Sequence, residues 1–143
     1  MATQDDRQHS SGVLDEERLG RTYRAILGEI PPHVRARWAI LVAAGRARTV
    51  EAIEELRAVC IKDNPLDLRV QQLVQFGQLL VLRAEDPARL HARAAVRLGA
   101  SVADLIGVAE TAFITGGVTA FSLGVRVAGE VAEAAAADAG ASR

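Results

Sequence analysis

Apolar residues recur three or four positions apart along most of this chain, which is the spacing of a helix with one buried face. The clearest case predicts a helix over residues 67–83. Its apolar positions are Leu66, Val70, Leu73, Phe76, Leu79 and Leu80. The same spacing predicts further helices over residues 13–27, 31–44, 50–60 and 118–137. We therefore expect an all-α protein.

Start and stop signals divide the segment after residue 83 into two more helices. The Asp-Pro pair at 86–87 places a capping residue before a proline in the first turn, and Gly99 is a stop signal. Ser101 and Asp104 have the spacing of a capping box, which opens a helix. That helix should end at the glycine pair 116–117. The expected total is about six to seven helices.

The helix predicted over residues 50–60 should bury an apolar side. Thr49 is its expected N-cap, and Ile53, Leu56 and Cys60 fall on one side of it. On this interpretation Cys60 is a buried, inert thiol.

Length and composition favour one soluble domain. The chain has 143 residues, of which 50% are apolar and 24% charged, so we expect one helical domain over 13–137 and disordered ends at 1–12 and 138–143. The net charge of −1 argues against a nucleic-acid surface, because phosphate binding needs an excess of cations. One cysteine cannot form an intrachain disulfide, and the polar N-terminus lacks the regions of a signal peptide. We expect a cytoplasmic protein.

Residues 105–125 are long and apolar enough to cross a bilayer, but a membrane span is disfavoured. The glycine pair interrupts the run, and Glu110, its one acidic residue, would lie deep in lipid. Two helices covered by neighbouring subunits fit the pattern better, so we expect a homo-oligomer and no membrane contact.

The order of several short motifs resembles a known family. The matching residues are Arg69, His91, Ala94, Gly99, Ala100, Ser101, Asp104 and Leu105. They resemble the pattern of the carboxymuconolactone decarboxylase and alkylhydroperoxidase-D superfamily. The segment 115–119 lies where many members have Tyr-x-Gly-x-Pro, with Thr115 and Thr119 in place of the tyrosine and proline. The resemblance implies a compact helical domain that assembles as a trimer or hexamer.

The chain departs from the peroxidase branch of that superfamily, which has a glutamate, two cysteines three residues apart and a histidine four residues later. Counting back from His91 places Pro87 and Ala84 at the cysteine positions and Gln72 at the glutamate position. Peroxide reduction needs an attacking and a resolving sulfur, so a peroxidase or disulfide reductase is disfavoured. The resemblance then implies a non-redox decarboxylase that needs no cofactor.

His91 and Glu110 are the predicted catalytic residues. Imidazole titrates near neutral pH and can move a proton between carbon and oxygen, although a lone histidine is more often a structural hydrogen-bonding group. Glu110 has apolar neighbours, and desolvation would raise its pKa and suit it to a general acid. The alternative for Glu110 is a salt bridge to Arg69 or Arg93.

Four residues are predicted to bind substrate. Arg69 could hold a carboxylate, and Gln72 could orient the substrate or the histidine but cannot act as a base. Thr115 and Thr119 would widen and wet one wall of the pocket. Arg69 could equally form a structural ion pair.

The sequence therefore predicts a carboxymuconolactone-decarboxylase-like lyase acting on a small oxygenated carboxylic acid or lactone. An isomerase or cyclase of a secondary-metabolite intermediate on the same scaffold stays open, as does a non-catalytic helical module. The spacing of the three histidines does not suggest a metal site.

Overall fold

The computed structural model of the chain describes residues 13–142. Within that range the backbone forms seven helices and no strand, which confirms the all-α fold class and the number of helices. They are α1 (Glu16–Leu19), α2 (Arg21–Leu27), α3 (Pro32–Ala43), α4 (Ala47–Lys62), α5 (Leu68–Val81), α6 (Glu85–Arg97) and α7 (Val102–Ala141). The contacts among the described residues form two compact units, which divide between Asn64 and Pro65. The leader predicted at 1–12 lies outside the described residues, and the single domain over 13–137 stays a prediction.

Several helix boundaries in the first unit lie at a glycine or a proline. The helix predicted over 13–27 is split at Gly20, where an added Cβ would clash with Cδ1 of Ile30. Gly28 ends α2 in the left-handed conformation, directly after the predicted end of the helix at residue 27. Helix α4 begins at Ala47, so Thr49 lies inside its first turn and the predicted N-cap is wrong.

Helix α4 buries a different side from the one that the apolar pattern predicted. Ile53 and Leu56 are 43% and 64% exposed, and Cys60 is exposed as well, so the predicted buried thiol is wrong. Val50 and Glu54 are buried instead. Glu54 faces inward because the core of this unit contains hydrogen-bond donors, and its carboxylate is their acceptor.

Glu54 is the centre of a buried polar cluster. Its carboxylate accepts hydrogen bonds from the Tyr23 hydroxyl at 3.1 Å, Nε1 of Trp38 at 3.2 Å and Nε of Arg57 at 2.9 Å. The side chain of Glu54 is 2% exposed, and the Arg57 guanidinium also lies 5.3 Å from the centre of the Tyr23 ring. Arg37 lies 3.6 Å from the same carboxylate, so the buried charge is balanced by two cations and two neutral donors.

Capping residues fix the helix starts of the second unit. The Asp67 side chain accepts a hydrogen bond from a backbone N–H in the first turn of α5, and Ser101 and Asp104 form the predicted capping box of α7. Helix α6 begins one residue before Asp86, so Asp86 lies in the first turn and its predicted role as the cap is wrong.

Helix α7 is broken at Gly117, close to where the sequence predicted a stop. Gly117 has φ 78° and ψ −175°, a conformation that only glycine adopts easily. Residues on either side of the break meet: the rings of Phe113 and Phe121 are 6.1 Å apart, and a Cβ added to Gly124 would lie 2.5 Å from Cβ of Ala109. The two segments of α7 therefore pack against each other through small and aromatic side chains.

The second segment of α7 extends to Ala141, so residues 138–141 are helical where the sequence predicted the start of a disordered tail. The alanines there are strong helix formers. By length and composition α7 could cross a membrane, with an 18-residue window of mean hydropathy 1.4 of which 22% is buried. The backbone break and the exposed carboxylate of Glu110 count against that reading.

An ionic cluster joins α6 to α7. Arg89 contacts Glu130 at 2.5 Å, Glu85 at 2.7 Å and Asp86 at 2.9 Å, and Arg126 contacts Glu85 at 2.6 Å. Hydrogen bonds from Arg126 and then Arg89 lower the pKa of Glu85 from 4.5 to about 2.

This cluster predicts a loss of stability in acid. Because the pKa of Glu85 is lower in the folded chain, its ion pairs stabilise the fold above pH 4.5, and that contribution is lost as the pH falls toward 2. Over this range the free energy of unfolding of Glu85→Gln should fall less steeply than that of the wild type. Urea titrations at successive pH values measure both slopes, and equal slopes would contradict the prediction.

Candidate functional site

His91 lies on a helix with an alanine-rich buried face. Ala88, Ala92 and Ala95 of α6 are completely buried in the core of the second unit. Such small side chains allow neighbouring helices to approach closely. The His91 side chain is half-buried, so the ring is neither sealed in the core nor fully in bulk solvent.

The structure brings His91 together with Gln72. Nδ1 of the imidazole lies 2.7 Å from the amide oxygen Oε1 of Gln72 on α5. Gln72 is 1% exposed, and it stands at the position that the peroxidase branch fills with glutamate. The cysteine positions of that branch are held by Ala84 and Pro87, at the start of α6. The structure therefore pairs the imidazole of His91 with a neutral amide, and neither cysteine position carries a thiol.

Glu110 does not have the environment that we predicted. It is exposed on α7, because the neighbouring positions Ala109 and Ala112 face the core and Glu110 does not. The prediction that this carboxylate is desolvated is therefore wrong. The alternative is wrong too, since no ion pair within residues 13–142 joins Glu110 to Arg69 or Arg93. Its catalytic role stays a prediction.

The other predicted binding residues lie elsewhere in the second unit. A groove of about 990 Å³ runs between α5 and α7; we call it the α5–α7 groove. Its apolar lining includes Val70, Leu73, Val74, Gly77, Val81 and Val108. Thr115 and Asp104 contribute polar atoms to the groove, whereas Thr119 is exposed and is not part of the lining. Neither member of the histidine–glutamine pair lines this groove.

Arg69 is exposed and interacts electrostatically with Asp104. Hydrogen bonds from Ser101 are the main cause of the lowered pKa of the Asp104 carboxyl, and the Arg69 charge adds to it. Of the six predicted site residues, the structure joins His91 and Gln72 by a hydrogen bond, whereas Thr115 lines the α5–α7 groove and Glu110 and Thr119 are exposed. Within residues 13–142, no group of three or more histidine, cysteine, aspartate or glutamate side chains could hold a metal ion.

Comparison with known proteins identifies relatives at two levels. The sequence model of the carboxymuconolactone decarboxylase family matches residues 47–130. Among solved structures, the chain is similar to a candidate carboxymuconolactone decarboxylase from Burkholderia xenovorans. The TM-score is 0.70 and the identity 19%, over 90% of this chain and 96% of the other. No curated protein matches the sequence significantly.

Proposed function

Because the chain belongs to the carboxymuconolactone decarboxylase family, as its motifs predicted, we propose that it is a cofactor-independent lyase. Its substrate is a small oxygenated carboxylic acid or lactone, and His91 transfers the proton. The observation that supports this role most directly is the half-buried imidazole bonded to Gln72. A ring in this setting can reach a ligand and is still held in one orientation.

The proposed reaction needs one proton and no electron acceptor. The bond between the substrate carbon and its carboxylate breaks, carbon dioxide leaves, and the electron pair is delocalised into the neighbouring carbonyl as an enolate. Protonated His91 then donates a proton to that carbon and regains one from water. An imidazole is suited to this step because both of its protonation states are accessible near neutral pH.

The proposal is tested by incubating the purified protein with carboxymuconolactone and a panel of related lactone acids. We expect carbon dioxide release from at least one of them and no reduction of organic hydroperoxides. A product of unchanged mass would contradict decarboxylation and indicate an isomerase or cyclase. Peroxide reduction that disappears in Cys60→Ser would contradict the non-redox mechanism.

We also propose that copies of the chain assemble through the apolar surface of α5 and α7. Its exposed side chains include Leu82, Phe113, Ile114 and Val118, and Ile114 is 82% exposed. Large exposed apolar surfaces are rare on a monomer. The α5–α7 groove beside it provides a concave surface that could receive such side chains.

Ile114→Asp should disrupt that assembly. Ile114 is exposed in the single chain, so the charge should leave the fold intact while opposing contact between apolar surfaces. Sedimentation velocity should then show a smaller particle than the wild type. Val13→Asp, at another exposed apolar position, is the control and should keep the wild-type size. An unchanged size for Ile114→Asp, or a monomeric wild type, would contradict the proposal.

A further inference from the structure

We propose that Gln72 is a positioning residue for His91. Its amide oxygen keeps a proton on Nδ1 of the neutral ring, so that Nε2 is the nitrogen that exchanges protons with a substrate. The assignment of the ring nitrogens stands on geometry, and its catalytic consequence rests on the function proposed above.

With the amide oxygen of Gln72 turned toward the ring, the hydrogen bond determines which nitrogen of His91 is protonated. An amide oxygen has lone pairs and no hydrogen, so it can only accept. Nδ1 lies 2.7 Å from Oε1 of Gln72, which is hydrogen-bonding distance, and must therefore be the donor. A neutral imidazole has a single N–H, so its basic lone pair is on Nε2.

The burial of Gln72 argues against the substrate-binding role that was predicted for it from the sequence. At 1% exposed it is one of the most enclosed side chains of the second unit, and its helix α5 also buries Phe76 and Leu80 completely. A side chain held in this way has little freedom to turn toward a ligand. Its amide acts on the ring of His91, which has the greater access to solvent.

The same contact defines the path of the proton. When the ring is protonated, both nitrogens carry hydrogen, and the Nδ1 hydrogen remains in the bond to Gln72. The hydrogen on Nε2 is then the one that can be donated to a carbon. Proton uptake and donation both occur at Nε2, and the ring does not have to rotate between them.

Nitrogen NMR of the ¹⁵N-labelled full-length protein tests this directly, since long-range couplings to the ring protons distinguish the two tautomers. The signals of His91 are assigned by their loss in His91→Ala. In the neutral wild-type ring we expect a protonated Nδ1 and an unprotonated Nε2. Gln72→Glu keeps an acceptor oxygen and should keep this tautomer, whereas Gln72→Met should allow the proton to move to Nε2.

Gln71→Met is the matched control. Gln71 is also buried, but its amide nitrogen donates to the backbone oxygen of Leu66 at 2.8 Å. The control should leave the His91 tautomer unchanged even if it lowers stability. An Nε2-protonated ring in the wild type, or the same tautomer in Gln72→Met as in the wild type, would overturn the inference.

Kinetics separate this inference from the proposed function. Gln72→Met should lower kcat about tenfold or more with little change in KM, because ring orientation matters most in the transition state. If His91→Ala is inactive but the wild-type ring carries its proton on Nε2, the function stands and the role of Gln72 is wrong. If His91→Ala is fully active while the ring is protonated on Nδ1, the proposed function is wrong and the assignment of the ring nitrogens holds.

Discussion

Glu54→Leu is expected to lower the free energy of unfolding by about 2–4 kcal/mol, because it leaves buried donors without their acceptor. The hydroxyl of Tyr23 and the indole N–H of Trp38 both donate to this carboxylate inside the core of the first unit. Arg37 and Arg57 also lose this partner, but both are partly exposed and can be solvated by water. Chemical denaturation followed by tryptophan fluorescence measures the effect at the cluster itself.

A graded series separates the loss of charge from the loss of the acceptor. Glu54→Gln keeps one acceptor oxygen for the neutral donors and should cost less than Glu54→Leu. Glu55→Gln is the matched control, since the neighbouring Glu55 is exposed and its one ion pair within residues 13–142 is with Arg18, at 3.4 Å. Its effect should stay within about 0.5 kcal/mol. If Glu54→Leu were as stable as this control, the cluster would have no structural role.

His91→Ala is expected to lower kcat by about 10²–10⁴-fold on the substrate identified by the carbon dioxide assay, because it removes the group that transfers the proton. KM should change little, since the ring acts on the developing carbanion. His33→Ala is the control, because His33 is exposed on α3 and should not contribute. If His91→Ala turned over the substrate at the wild-type rate, the proposed mechanism would be wrong.

The helices of the second unit could be predicted in detail because capping residues and glycines next to their ends determine where they begin and end. The capping box of Ser101 and Asp104 and the break near Gly117 depend on residues within one turn of each other. The predicted start of α6 was wrong by one residue. Asp86 has the side chain of an N-cap residue, but the helix begins at Glu85, before it.

The buried side of α4 could not be predicted in this way. Ile53 and Leu56 have the spacing of a buried face, yet the helix turns Glu54 inward. The cause is distant in sequence, since the donors on Tyr23 and Trp38 come from α2 and α3. Buried tyrosine and tryptophan usually find an acceptor, so these two aromatics were the available signal.

The candidate site was predicted in part. The family resemblance selected His91 and Gln72, and the structure shows them in contact. The desolvation of Glu110 was inferred from apolar neighbours in sequence, but neighbours along a helix point in different directions, and this carboxylate is exposed. The apolar run around it could not reveal which side of α7 faces the core.

Deuterium incorporation tests the central claim most directly. In deuterated water, the wild-type product should carry one deuterium at the carbon that lost carbon dioxide, on a single face, because one oriented ring delivers the proton. His91→Ala should give product only at the uncatalysed rate, with deuterium on both faces. Wild-type product labelled equally on both faces, or His91→Ala product formed at the wild-type rate with deuterium on one face, would contradict proton transfer by His91.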